Sequence, residues 1–217
     1  ALESHQKAAA AQEAGKFAEE IIPVHGLGGD GNSFIFDRDE GIRPQTTLEK
    51  LAALKPAFRE DGVVTAGNAS QMSDGAGFVV MMSEQKAAAL GIAPIAKFLD
   101  YAVAGVDPSY MGLGPIRAVP RVMKQSGLSV SQMDVIELNE AFAAQALPCM
   151  RELPLPAGRV NPNGGAIALG HPLGATGAFL TCKLLSELRR REGRYGLVTM
   201  CVGGGMGAAG IYEMVSP

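Results

Sequence analysis

With 217 residues, 47% of them hydrophobic, the chain is long enough for one sizeable core or for one domain plus an appendage. Its 19 basic and 22 acidic residues leave a net charge of -3 with no basic block, which argues against a nucleic-acid surface, and no apolar run is long enough to span a bilayer. Cys149, Cys182 and Cys201 lie far apart without CxxC spacing, so neither a disulfide framework nor a metal site is suggested. A reducing, cytoplasmic compartment is expected.

In chain order, the first residues, ALESHQKAAAAQEA, form a helix that Gly15 stops. The chain opens on Ala1 inside that run, which reads as a cut end. EEIIPV at 19–24 is expected to be extended, and 25–46, rich in Gly, Asp, Asn and Pro, an irregular surface excursion. A short helix over 47–54 ends before Pro56, and a turn-rich link at 67–74 leads into an apolar strand at 77–82. Helices near 83–90, 116–125 and 141–150 then alternate with strands near 95–103 and 135–138. After a Gly- and Pro-rich stretch at 154–174, a long helix runs to about Arg191, and strands at 197–202 and 209–214 flank GGGMG. This alternation predicts an α/β layer architecture.

Four of these pieces end in polar or glycine-rich turns: GNAS at 67, NEAF at 139, GGAIALGHPLGATG at 164 and CVGGGMG at 201. Sites in open α/β sheets collect at such strand ends. His171 stands between Gly170 and Pro172, whose ring restricts the histidine backbone and so fixes the direction of an imidazole able to exchange protons near neutral pH. Alone, it could equally be an exposed turn histidine. Cys201 follows an apolar strand and precedes three glycines, where a thiol can face a cleft while backbone N–H groups approach a ligand; the alternative is a buried small hydrophobe. Asn139 is either the N-cap of the following helix or an amide that binds a substrate oxygen or a water. Its neighbour Glu140 is read as structural. Arg43 and Ser70 by themselves are a solvated cation and a turn hydroxyl. GMGAAG at 205–210 matches GxGxxG, but a strand rather than a helix follows it, so the nucleotide-loop reading fails on context.

Taken together, TAGNAS at 65, DPSYMGLGP at 107, NEAFAAQ at 139, NGGAIALGHPLGATGA at 163 and CVGGGMG at 201 resemble the thiolase family, in family order and over most of the chain. The resemblance implies a thiolase-like layered αβα domain with a mixed five-stranded sheet. Residues 1–66 would be the end of a loop domain and the entry to the core, and residues 67–217 the C-terminal core domain. It further implies roles: His171 activates a nucleophilic cysteine and binds the thioester oxygen, Asn139 holds a catalytic water, Cys201 moves the α-proton, and the Gly203 N–H serves the other oxyanion hole. Phe142 would line the pocket, while Arg43 and Ser70 would contact coenzyme A. The expected chemistry is thiolytic cleavage of 3-ketoacyl-CoA or condensation to acetoacetyl-CoA, with CoA and acyl-CoA as substrates and no permanently bound cofactor. The thiolate of Cys201 is expected to be favoured by a nearby imidazole and by backbone dipoles.

In the family's pattern the acylated cysteine belongs to a first half that these motifs do not include, and no cysteine here replaces it. The chain is therefore expected to need an N-terminal thiolase segment, to be inactive alone, and to cover an exposed apolar face by tight association, the family's dimers and tetramers being the precedent. Two other readings compete. One is a self-contained Cys-His-Asn hydrolase built from Cys201, His171 and Asn139. The other is a non-catalytic thiolase-like domain that binds CoA or a partner subunit.

Overall fold

Leucines recurring every four residues give the helix Thr176–Arg190 one apolar stripe, and a stripe of that kind needs a sheet to cover it. The computed structural model, which describes residues 1–215, supplies that sheet from four strands. Numbered in chain order with the small hairpin β1 (Val24–Leu27) and β2 (Ser33–Phe36), the sheet strands are β3 (Ala96–Gly105), β4 (Val135–Leu138), β5 (Tyr195–Val202) and β6 (Met206–Met214). Their order is β3-β6-β5-β4; β6 runs antiparallel to both neighbours, and β4 is parallel to β5. The helices are α1 (Leu2–Glu13), α2 (Leu48–Ala52), α3 (Glu84–Leu90), α4 (Gly114–Ser126), α5 (Ala143–Glu152), α6 (Ala166–Leu169) and α7 (Thr176–Arg190).

Strand alternation sends successive side chains of the sheet to opposite faces, and each face has its own core. On one side Ile136, Leu138 and Leu197 pack with Val119 and Val122 of α4 and Cys149 and Leu153 of α5. On the other, Val135 and Val198 meet Leu180, Leu184 and Leu188 of α7, all three leucines at most 1% exposed. Burying each such leucine contributes about 1.5–3 kcal/mol. The result is the expected αβα layering with a mixed sheet.

The fifth strand is not formed among the described residues. Residues 77–82 are extended but pair with nothing, and Phe78 and Val80 are 81% and 84% exposed. An apolar run becomes a strand only beside an edge that can take its hydrogen bonds, and the segment lies instead against α7, where the Cys182 thiol donates to the Phe78 carbonyl. Two further expectations are corrected. Residues 15–21 form turns, with the Glu20 and Ile21 N–H groups both donating to the Phe17 carbonyl, so extended chain begins only after them. Within 25–46 the β1/β2 hairpin forms, because GGDGN at 28–32 is a turn with apolar residues on both sides: Gly28 N–H donates to Asn32 O, and Gly31 adopts φ +82°.

The glycines of the last hairpin are set by close approach. A Cβ on Gly207 would lie 2.1 Å from the Gly114 backbone, and one on Gly205, at φ +87°, would lie 2.5 Å from the Val106 carbonyl. The CVGGGMG loop is thereby pressed against the start of α4, leaving Gly203, with open space at its Cβ position, facing outward.

Candidate active site

Asn139 ends β4, and its N–H donates to the Thr199 carbonyl at 3.0 Å, which continues the parallel ladder one residue beyond the strand. It does not cap the following helix: α5 starts at Ala143, after Phe142. The edge of β4 is closed by Asn161, whose Oδ1 accepts from Leu138 N–H and whose Nδ2 donates to Leu138 O. Held on both sides, the Asn139 side chain is 1% exposed.

His171 arrives from the opposite direction, on the turn between α6 and α7. Its N–H is received by Ser73 Oγ at 3.3 Å and Gln71 O at 3.4 Å, while the Gln71 amide donates to Gly41, Ile167 and Ala168 carbonyls. Its ring reaches Thr176 Oγ1 through Nδ1 at 2.7 Å and Asn139 Nδ2 through Nε2 at 3.3 Å. The fully buried Thr176 hydroxyl has one hydrogen and gives it to the Pro172 carbonyl at 2.9 Å. It can therefore only accept from the ring, which places the histidine proton on Nδ1 and the lone pair on Nε2, where the Asn139 amide donates to it. Burial lowers the His171 pKa from the ordinary histidine value, which favours the neutral ring. Asn139 Oδ1 is buried with no protein partner, an acceptor in place for a water or a substrate donor.

Cys201 lies on β5 two residues past Thr199, so the same strand that receives the Asn139 N–H carries the thiol, opposite Gly207. It is 8% exposed. Burial raises its pKa, opposed only by a backbone hydrogen bond. That burial acts against the expected thiolate, and the lowered pKa of His171 weakens the charge its imidazole could lend. Both ring nitrogens of His171 are taken, by a hydroxyl and an amide, so the direct Cys-His pair of the hydrolase reading is not formed.

Ser70 and Phe142 come together at the NEAF turn: Ser70 N–H donates to Ala141 O, Ala69 bridges Phe142, and the Phe142 ring stands edge-on to Phe58 at 6.2 Å. Arg43 lies apart from these, its N–H donating to Nδ1 of the buried His5. Glu140 is structural, as expected. Its carboxylate accepts from Ser4 Oγ, Asn161 Nδ2 and Ile167 N–H, and it lies where a Cβ on Gly165 would be, at 2.3 Å. An open cleft of about 400 Å³ lies between 73–77 and 172–175, beside the segment that carries His171 but not lined by it. A larger cavity, about 820 Å³, lies between α1 and residues 34–44, but with Asp37, Asp39 and Glu40 on its wall it is poorly suited to a phosphate-bearing ligand. GMGAAG lies at the hairpin and within β6, so a strand rather than a helix holds its glycines, unlike the nucleotide-binding GxGxxG turn.

Thr176 and Ser4 are not evident as site residues from sequence. A signal for Thr176 exists: a hydroxyl five residues after the histidine, at the start of an otherwise leucine-lined helix.

Comparison with known proteins identifies the family. The family model described as "Thiolase, N-terminal domain" matches residues 1–85, and that described as "Thiolase, C-terminal domain" matches residues 92–214. The 3-ketoacyl-CoA thiolase of Bacillus subtilis (strain 168) is 53% identical over 222 residues, which cover 99% of this chain and 57% of the relative. The 3-oxoadipyl-CoA/3-oxo-5,6-dehydrosuberyl-CoA thiolase of Escherichia coli (strain K12) is 56% identical, covering 99% and 54%. Among solved structures, the Bacillus anthracis acetyl-CoA acetyltransferase superposes with a TM-score of 0.94 at 46% identity, covering 98% of this chain and 54% of that one. The human mitochondrial 3-ketoacyl-CoA thiolase in complex with CoA does so with a TM-score of 0.89 at 42% identity, covering 99% and 53%. The chain thus spans about half the length of the relatives it matches. The match of the C-terminal-domain model over residues 92–214, more than half of an αβα-layered chain, makes this chain a member of the thiolase family.

Proposed function

We propose that this chain supplies the oxyanion-binding and proton-handling half of a CoA-dependent acyltransferase that cleaves 3-ketoacyl-CoA by thiolysis or condenses acetyl units to acetoacetyl-CoA. The observation that carries the reading is the His171–Asn139 contact, with the imidazole lone pair held on Nε2 and Asn139 Oδ1 left free. A lone pair so fixed can take the proton of an attacking thiol, and the imidazolium and amide can then donate to the oxygen that becomes negative. The free Oδ1 suits the water expected there.

The nucleophile is a cysteine thiol outside these 217 residues. Its sulfur attacks the 3-keto carbon, and as the bond between C2 and C3 breaks, its electrons pass to C2 as the enolate of acetyl-CoA. Cys201, whose burial favours the thiol, gives its proton to C2, and the thiolate left behind takes the proton of the incoming CoA thiol, whose sulfur displaces the acyl group from the nucleophilic cysteine; that cysteine recovers its proton from the His171 imidazolium. The Gly203 N–H would donate to the enolate oxygen, a role that the open space beside Gly203 leaves room for. Ser70 and Phe142, gathered at the NEAF turn, line the entry, and Arg43 provides a cation for the CoA nucleotide end. Residues 67–217 form the C-terminal core domain, with 1–66 as the end of the loop domain.

Exposure of Phe78 and Val80 supports a covering polypeptide, and a homodimer or tetramer is proposed for the completed protein. No helix among the described residues is long and apolar enough to cross a membrane, and three unpaired cysteines fit a reducing, cytoplasmic setting.

Cleavage of acetoacetyl-CoA by CoA tests the reading, using this chain alone and after addition of a polypeptide carrying the rest of the thiolase N-terminal domain. No turnover is expected from the chain alone. Turnover is expected on completion, falling by about 10²–10⁴ in His171→Ala. Turnover by the chain alone, or a completed His171→Ala enzyme of full activity, overturns it.

A further inference from the structure

Helix α7 buries four polar residues among its leucines, Thr176, Thr181, Lys183 and Glu187, and two of them bear on the site. Thr176 and Lys183 are seven residues, two turns, apart and so share one face. Thr176 holds the His171 ring. Lys183 is 4% exposed, and its ammonium donates to Glu137 Oε2 at 2.9 Å and to the Gly164 carbonyl at 2.7 Å. Glu137, itself 0% exposed, lies on β4 two residues before Asn139 and therefore projects to the same side of the sheet. Gly164, at φ +80° and pressed against Ser4 and Ala8, opens the segment that ends in His171.

We propose that Lys183 is a positioning residue for the Asn139–His171 pair, its ammonium locking β4, the 164–171 segment and α7 in one register. The geometry is particular. One charge touches each of the three elements that deliver the pair: the strand carrying Asn139, the segment carrying His171 and the helix carrying Thr176. Each contact reaches at least 19 residues along the chain, so no local preference can replace it. A buried ion pair is a poor way to gain stability, since well-packed apolar residues of similar size commonly do as well. What an apolar pair cannot do is reach the Gly164 carbonyl and fix a direction. Glu137 Oε1 has no partner, which leaves the pair incompletely satisfied and is consistent with a role other than stability. The consequence for catalysis rests on the function proposed above, whereas the positioning does not.

The test is the ring nitrogen spectrum of His171, one of three histidines in this chain. In the unaltered protein, ¹⁵N signals are expected well apart, one from protonated Nδ1 and one from the Nε2 lone pair. In Glu137→Met/Lys183→Met, the thermal midpoint is expected to stay level or rise, while the two ring signals move toward each other as the tautomers mix. In the completed enzyme kcat is expected to fall about tenfold with KM unchanged. A folded double variant with unaltered ring signals overturns the proposal. If the apolar pair does not fold, Glu137→Gln/Lys183→Gln, which keeps a buried amide contact but removes the charge, is read by the same two criteria. A completed enzyme without thiolysis would remove the catalytic reading, while the ring spectrum would still decide the positioning.

Discussion

Replacing Thr176 by valine removes one oxygen and almost no volume, and so isolates the hydrogen bond that sets the histidine tautomer. Its hydroxyl donates to Pro172 O and accepts from His171 Nδ1. The Pro172 carbonyl keeps the Ala175 and Thr176 N–H donors, so it stays satisfied. His171 Nδ1–H loses its partner. Leaving a buried donor unpaired costs about 1–3 kcal/mol, and the half-buried ring, within reach of water, places the loss near about 1–1.5 kcal/mol. Applied to the tautomer equilibrium, 1.4 kcal/mol is about a factor of ten in the ratio of the two neutral forms, so the preference for the Nε2 lone pair shrinks by roughly that factor. Thiolysis by the completed enzyme should drop in kcat by no more than about tenfold, the melting temperature should fall by about 2–4 °C, and the ¹⁵N ring signals should shift toward the Nε2–H form. Thr176→Ser, which keeps the oxygen, should restore the Nδ1–H signal. A valine variant whose ring remains Nδ1–H would refute the reasoning, because something other than Thr176 would then be setting the proton.

Two stability predictions concern the same scaffold. Burial alone would raise the Glu187 carboxyl, but hydrogen bonds from Asn163, Arg191 and Arg190 and the charge of Lys16 hold it down to about 2. A folded pKa below the unfolded one adds stability above about pH 4.5 that is lost as pH falls toward 2. After a discount for the partly exposed arginines, Glu187→Gln should cost about 2 kcal/mol in urea unfolding at pH 7 and progressively less below about pH 4.5. A cost that is flat with pH would show that the network does not titrate with folding. At the last hairpin, Gly207→Ala would push a methyl into the Gly114 backbone and should cost about 3 kcal/mol or more, whereas Gly203→Ala, with nothing within 4 Å, should stay within about 0.5 kcal/mol. Equal effects would mean that the close approach of β6 to α4 is not what requires glycine.

The readable parts of this chain are those where one residue type answers one local demand. Leu180, Leu184 and Leu188 announce α7 by spacing alone, and Gly205 and Gly207 of CVGGGMG answer a backbone approach that no other residue permits. The hairpin at 24–36 is hidden when the turn chemistry of GGDGN is taken without the Phe34-Ile35-Phe36 run beside it. The strand expected at 77–82 has the right residues, but pairing depends on a partner edge, and a sequence segment does not state whether that edge is within reach. Lys183 is invisible for a related reason. A lysine in an amphipathic helix is normally solvated, and its contacts with Glu137 and Gly164 join positions 46 and 19 residues away. Its position in the leucine stripe, directly before Leu184, is the available sign.

The two halves of the proposed site differ in how finished they are. His171 and Asn139 are fixed by contacts wholly within this chain: Thr176, Ser73 and Gln71 around the histidine, and Asn161 and the Thr199 carbonyl around the end of β4. Preorganised donors act most strongly when they need not rearrange as charge develops, and this pair meets that condition already. Cys201 is different. Its thiol is buried, and that burial favours the protonated form. A protonated thiol suits giving a proton to an enolate better than beginning a nucleophilic attack. On the proposed function the oxygen-binding pair and the proton donor reside here, and the attacking sulfur is supplied from outside these 217 residues.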